Sequence, residues 1–297
     1  MSVHELKRPP VAHGGEWQVK APLALEQLRH WAQISPLQPA LRHKRHGQWV
    51  VWRWIDAWRD VERLADGLRQ HGVDSDSRLA LSGAFEPNLL LLTLAAQQVG
   101  AEVLALPATL EPRTLRNRAF SHGFVHDRPT RQQWLDQGLA LLDFSELLGP
   151  SEPPQRLNSL RASPTLWSEE GTEWQGGLTV VLEQWLNRGE TLAFPENPGS
   201  AERDRREVAP SGLLLSAQGL QRLAAEIERR LAAPGTWRRR LCDWAIADPQ
   251  RFPQRLIKQR VRRLLGFHHL QFIWQATSTA QTPVGPQWLA EFKRNIA

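Results

Sequence analysis

The chain has 297 residues, enough to bury a core without disulfides or a structural metal. Its single cysteine, Cys242, excludes an internal disulfide, and the first thirty residues carry charge and proline where a secretory signal needs an apolar run. The most apolar stretch, 89–96, falls far short of the roughly 20 residues of a membrane span, so the expected location is cytoplasmic, at most peripheral on the inner face of the membrane.

The 37 Lys and Arg outnumber 31 Asp and Glu, but the excess is local. Eleven basic residues stand between Arg229 and Arg263 against Asp243 and Asp248, a balance of +9; the rest of the chain is slightly acidic. Any electrostatic attraction to an anionic partner therefore belongs to that region. Fourteen Trp stand beside no Tyr and one Met, a bias that composition does not explain.

In chain order, 1–20 mixes Pro, Gly and charge without period and reads as a loose arm. Helical spacing over 23–34 ends at Ser35-Pro36. The stretch 39–54, with His46-Gly47-Gln48 at its middle, is a hairpin signature. Over 55–71 the residues Trp58, Val61, Leu64, Ala65 and Leu68 form one stripe, and Gly72 supplies the left-handed residue that stops a helix. A strand over 78–82, a buried helix over 87–99 closed by Gly100 and a strand over 103–107 follow. The alternation continues with a helix near 112–122, a strand at 124–126, a helix over 130–137 and an apolar run at 139–142. Such alternation indicates parallel βαβ units. Ser, Pro and Glu interrupt the pattern over 151–175. It resumes with a helix over 178–187, a strand at 191–194, a helix over 201–208 and a strand at 212–216. Three Arg-rich helices over 219–265, a strand at 269–274 and a helix over 286–295 complete it. The expected organisation is an arm over 1–22, a first α/β subdomain over 23–150, a linker over 151–177 and a second α/β subdomain over 178–297 with a basic helical insert over 219–265. No repeat of fixed period is present.

Two sets of segments carry a resemblance. Gln38-Pro-Ala-Leu-Arg42, Gly47-Gln-Trp49, Leu64-Ala-Asp-Gly-Leu68, Asp76-Ser-Arg-Leu-Ala-Leu81 and Gly100-Ala-Glu-Val-Leu-Ala-Leu-Pro107 form the first set. Arg188-Gly-Glu-Thr-Leu-Ala-Phe-Pro-Glu196, Arg238-Arg-Arg-Leu-Cys-Asp-Trp-Ala245, Arg263-Leu-Leu-Gly266 and Trp288-Leu-Ala-Glu-Phe292 belong to the second. In this order they resemble the adenylate-forming ligases, in particular the long-chain fatty acyl-CoA synthetases, over most of 23–297. The resemblance implies layered βαβ subdomains like the N-terminal domain of those enzymes, incomplete and without their C-terminal lid domain. It also implies a phosphate loop for ATP, which in the family reads Ser-Gly-Thr-Thr-Gly-x-Pro-Lys-Gly.

The matching residues here are 168–176, read as SEEGTEWQG. Ser168, Gly171, Thr172 and Gly176 supply the small and hydroxyl residues, but Glu169 and Glu170 stand where the family has Gly and Thr, and Gln175 replaces its Lys. A phosphate cradle needs backbone N–H groups, close approach and a cation. Two like charges about 4 Å apart cost roughly 4 kcal/mol at an effective dielectric of about 20, and no compensating cation is expected elsewhere in the chain. The family's acyl-site Pro-Leu-x-His motif is missing between 177 and 192, and its adenine, ribose and catalytic Lys motifs would lie past Ala297.

The remaining signals have plain readings. His122 and His126 stand four apart but straddle a strand, so no metal site is expected. Cys242 has no base partner and reads as a buried thiol. Arg238, Arg239, Arg240, Arg255, Lys258, Arg262 and Arg263 lie on helices whose other face holds Leu241, Trp244, Leu256, Ile257, Val261 and Leu264. This is either a solvated face or a surface for an anionic membrane or partner. Nucleic acid is not expected, for want of a recognisable module. The preferred expectation is a non-catalytic relative of acyl-CoA synthetases that binds a protein partner, a second copy of itself, a lipid surface or an acyl chain, with no cofactor. The alternatives are half of an AMP-forming ligase completed by a second chain, using ATP and Mg²⁺, and a peripheral membrane adaptor acting through the basic helices.

Overall fold

The computed structural model describes residues 21–109, 120–149, 155–156, 164–231, 235–237, 239–241, 244 and 252–275. The arm over 1–20, most of the helix expected near 112–122 and the helix expected over 286–295 lie outside them.

Helix α1 (Ala21–Ile34) places Ala24, Leu28 and Ala32 on one buried stripe at four-residue spacing. Strands β1 (Pro39–Arg45) and β2 (Gln48–Arg53) pair antiparallel across a turn in which His46 and Gly47 both adopt positive φ. Helix α2 (Trp54–Gln70) buries Trp54, Ala57, Val61, Leu64, Ala65 and Leu68, and Gly72 follows it at φ 80°. β3 (Arg78–Ser82) leads into α3 (Pro87–Val99), which starts on a proline, is buried on nearly every side and ends on Gly100 at φ 94°.

β4 (Glu102–Ala105), β5 (His122–Val125), α4 (Arg128–Asp136), β6 (Ala140–Leu141) and α5 (Phe144–Leu148) complete the first half. Residue 122 thus opens a strand and is not the end of a helix, and His126 follows that strand where the sequence placed it inside. After the two-residue β7 (Gln155–Arg156) come β8 (Thr165–Trp167), α6 (Gly177–Arg188), β9 (Thr191–Phe194), α7 (Ala201–Val208), β10 (Gly212–Leu215) and α8 (Ala217–Arg230). The described part closes with α9 (Phe252–Leu265) and β11 (Phe272–Gln275).

The strands form two sheets. Four run parallel in the order β4-β3-β5-β6; seven lie in the order β11-β10-β8-β9-β1-β2-β7, parallel as far as β1 with the hairpin and β7 antiparallel at the other edge. Two features differ from the sequence reading. The stretch 151–177 was expected as a connection, yet it contributes β8, whose three residues are all buried between β9 and β10. A three-residue strand is too short to display a period. Moreover, the hairpin at 39–53 belongs to the sheet of 165–275, so strand pairing crosses residue 150. α8, expected as part of an insert, is a core helix: Leu220, Leu223 and Ile227 pack with Leu213, Leu215, Trp167 and Ile273.

The main core contains side chains from both sheets and from α1, α2, α3 and α6. A column of indoles runs through it. Trp54 stacks on Trp185 with ring centres 5.2 Å apart and on Trp31 at 5.8 Å. Trp185 Nε1 donates to the Ala40 carbonyl at 3.0 Å and Trp31 Nε1 to that of Leu186 at 2.7 Å. Each indole buries a large apolar area and carries one polar atom; those of Trp185 and Trp31 find acceptors on β1 and at the end of α6, while the Trp54 Nε1 is buried without a hydrogen-bond partner among the described residues. No helix of the described residues is long and apolar enough to cross a membrane.

The column is expected to be the mechanical tie between the early hairpin and the later strands. Trp185→Ala should lower the unfolding free energy by about 3–5 kcal/mol in urea, whereas Trp185→Phe, which keeps the stack and loses the hydrogen bond, should cost clearly less.

Candidate functional site

The loop 168–176 leaves the buried end of β8 and turns into α6 through Gly176, at φ 73°. It is sewn to the segment after β3. Thr172 N–H donates to the Gly83 carbonyl at 2.9 Å, Gly83 N–H to Thr172 Oγ1 at 3.0 Å, and Phe85 N–H to the Glu170 carbonyl at 2.9 Å. Ala84 and Gly171 form an isolated antiparallel bridge. The backbones approach so closely that a Cβ on Gly171 would lie 2.8 Å from the Gly83 carbonyl oxygen, which is why glycine is required there. Trp174, where the family pattern has proline, is buried between Phe85 and Trp274. Gln175 is exposed, and the Ser168 hydroxyl is buried without a hydrogen-bond partner among the described residues.

The three acids of the loop are each engaged. Glu169 accepts from Trp167 Nε1 at 3.1 Å and from Arg205 Nη1 at 3.0 Å. Arg205, on α7, is almost wholly buried; its Nη2 reaches Glu226 on α8 at 2.6 Å, and its guanidinium lies over the Phe267 ring at 5.5 Å. Glu170 is buried at the start of α8. Its Oε1 accepts from Ser216 N–H at 3.1 Å and its Oε2 pairs with Arg222 Nη2 at 3.0 Å. Ser216 caps the same helix by accepting from Gly219 N–H at 2.8 Å, and a Cβ on Gly219 would collide with the Glu170 carboxylate. Glu173 Oε1 accepts from Ala108 N–H at 2.8 Å.

This overturns one expectation: cations do compensate the loop acids, from Arg205 and Arg222. The consequence is different from simple repulsion. A helix N-terminus with a free N–H and a nearby guanidinium is a place where an anion is stabilised, and the Glu170 carboxylate already occupies it. A hollow of 390 Å³ beside the loop is lined by Glu169, Glu170, Glu173, Trp174, Gln218 and Arg222 among others. The sequence could not have found Arg205 and Arg222, which lie 36 and 52 residues from their partners in helices that carry several other arginines.

The expected basic surface is dispersed. Arg239 pairs with Glu228 at 2.7 Å, and Arg262 is a clamp, donating to the carbonyls of Phe267 and Leu270, with burial pulling its pKa down. Arg240 and Arg263 are exposed. Arg238, with Cys242, and the side chains of Arg255 and Lys258 lie outside the description. Leu241, Trp244 and Leu256, expected on the helix face opposite the arginines, are exposed. Among the described residues no group of three His, Cys, Asp or Glu is arranged to hold a metal ion.

No protein-family profile matches the chain, and no curated protein matches it by sequence. Solved structures do match it. VinN bound to L-aspartate superposes with a TM-score of 0.61 at 12% identity, covering 92% of this chain and 73% of VinN. The luciferase-like enzyme of the nonluminescent mealworm Zophobas morio gives 0.54 at 12% identity, over 77% of this chain and 65% of its own. The o-succinylbenzoate CoA synthetase MenE of Bacillus subtilis gives 0.54 at 12% identity, over 70% and 52%. This chain thus spans about two thirds of the luciferase-like enzyme and half of MenE. All are adenylate-forming enzymes.

The buried guanidinium is the hub of the site. Arg205→Ala should destabilise the protein by about 3 kcal/mol, because it leaves the partly buried Glu169 and Glu226 without their shared cation. Arg222→Ala, at a side chain more than half exposed, should cost about 1 kcal/mol or less; denaturant unfolding of the two variants measures the contrast.

Proposed function

We propose that this chain, which has the α/β fold of the adenylate-forming enzymes, binds rather than adenylates. The observation that supports this reading is the Glu170 carboxylate seated on Ser216 N–H and Arg222 at the start of α8. Transfer of an adenylyl group depends on a positioned triphosphate whose developing charge meets preorganised donors and cations. In this loop the donors of Thr172 and Trp174 are directed to backbone carbonyls of Gly83 and Gly171. The position that would carry the loop lysine is Gln175. Glu169 and Glu226 share Arg205, Arg230 lies 3.6 Å from Glu226, and Glu170 pairs with Arg222, so the cations beside the loop already meet carboxylates of the chain itself. The role that remains is that of a folded body presenting surfaces and clefts to a partner, an acyl chain or a lipid.

Isothermal titration with ATP–Mg²⁺ is expected to show no saturable heat at millimolar concentration. A sub-millimolar affinity would overturn the reading in favour of an enzyme assembled with a second chain.

A second reading has its own observation. Trp237, Leu241, Trp244 and Leu256 are exposed in the same stretch as the exposed Arg240, Arg260 and Arg263. Aromatic and apolar side chains among basic ones suit the boundary of an anionic bilayer, at about 1 kcal/mol for each basic residue near the surface. Vesicles rich in phosphatidylglycerol should then carry the protein upward in a density gradient, and neutral vesicles should not. Changing Arg240, Arg260 and Arg263 to Glu should abolish flotation; flotation that persists in the variant excludes this reading.

A further inference from the structure

A second cleft, of 810 Å³ and with different lining residues, opens between β2, the start of α3, the end of β5, α4 and α5. Its floor is apolar: Trp52, Phe124, Leu142, Phe144 and Leu148 line it. Its mouth is cationic, with Arg45, His126, Arg128 and Arg131.

Among the described residues none of the three arginines forms a salt bridge, although Asp143 feels the charge of Arg131 and Glu86 that of Arg45. Arg45 is fixed in orientation by neutral groups. Its Nη2 donates to Asn88 Oδ1 at 3.0 Å, its Nε to His43 Nδ1 at 3.1 Å, and its guanidinium lies over the Trp52 ring at 5.5 Å. His43 can act as that acceptor because it is neutral: burial and the adjacent Arg45 hold its pKa at about 3. Arg128 and Arg131 form no salt bridge among the described residues. Both also stand in the first turn of α4, where the helix dipole disfavours cations, so nothing in the helix itself accounts for them.

The acids of the cleft are engaged elsewhere. Asp143 caps α5 by accepting from Ser145 N–H at 2.9 Å. Asp60 accepts from Trp52 Nε1 at 3.2 Å. Glu86, buried beneath the mouth, lies 3.0 Å from His126 Nδ1, and burial pushes its pKa up.

We propose that this cleft binds an organic anion whose charged head lies among Arg45, Arg128 and Arg131 and whose apolar body covers Trp52, Phe124 and Leu148. A guanidinium held in place and lacking a carboxylate is suited to bidentate recognition of a carboxylate or a phosphate, and the floor behind it excludes a ligand that is polar throughout. This site deepens the binding reading but does not depend on the loop: titration of the Arg128→Glu/Arg131→Glu variant with ATP tests the loop without the cleft arginines, and the experiment below tests the cleft.

The test is calorimetric titration of the full chain with decanoate, decyl phosphate, decyltrimethylammonium and inorganic phosphate. One of the two decyl anions should saturate at one per chain, and which one it is identifies the head group. The decyl cation should not bind, and inorganic phosphate should bind at least about tenfold more weakly than the preferred anion. Arg128→Glu combined with Arg131→Glu, both near the protein surface, should leave the unfolding midpoint unchanged and weaken the anion by about tenfold or more. Leu148→Asp should weaken the decyl anion without altering the response to inorganic phosphate. The proposal fails if neither anion binds, if the cation binds as well as the anion, or if the double variant binds like the parent.

Discussion

One buried guanidinium organises the half of the molecule that carries the loop 168–176. Arg205 comes from α7, reaches Glu169 at the head of the loop and Glu226 on α8, and rests on Phe267. A charge so deeply buried is tolerated only with good geometry on both sides, so the loop, α7 and α8 must take their places together. Glu169 and Glu170, which look like intrusions into a phosphate loop, are therefore parts of this packing, the first half-buried and the second buried. Glu170 takes this furthest: its carboxylate fills the N-terminal end of α8 that would otherwise be open to an anion, and Gly219 is small because the carboxylate needs the room.

A second constraint acts on the other side of the same sheet. The indoles of Trp31, Trp54 and Trp185 join α1, α2 and α6, and two of them hand a hydrogen bond to backbone carbonyls. Gly189 follows from this contact, since its left-handed backbone lies where a Cβ would meet the Trp31 ring. Part of the tryptophan excess thus has a structural reason: Trp167 lies under the second core, Trp174 lies in the loop between Phe85 and Trp274, and Trp52 and Trp49 flank the hairpin.

How much of this was legible depended on range. α1, the hairpin, α2, α3, α6 and β9 could be read because each carries its own signal within a few residues: a four-residue apolar stripe, a His-Gly turn, a glycine at the left-handed stop. α5 went unread because five residues do not complete an amphipathic pattern, and β8 because three do not complete an alternation. The fold of the adenylate-forming enzymes was visible from the order of segments, yet the partition at residue 150 was not, because the pairing of β1 with β9 joins residues about 150 apart. The loop's departure from the family pattern was visible residue by residue. Its physical meaning was not, since it depends on Arg205 and Arg222, and a pairing between distant side chains leaves no trace in local spacing.

The two anion-related places in the fold stand in opposite states. At the start of α8, the N–H of Ser216 and the guanidinium of Arg222 meet a carboxylate of the chain itself. At the start of α4 the acid that is present, Asp127, is engaged in capping the helix through Thr130 N–H and Oγ1; Arg128 and Arg131 form no salt bridge among the described residues, and Arg45 is steadied by an amide, a neutral imidazole and an indole. The cleft instead keeps its cations at the mouth of an apolar floor, where desolvation of an incoming head group strengthens each contact. The contrast between a loop closed by its own glutamates and a cleft whose arginines form no salt bridge is the strongest physical reason to look for a ligand of this protein away from the loop 168–176.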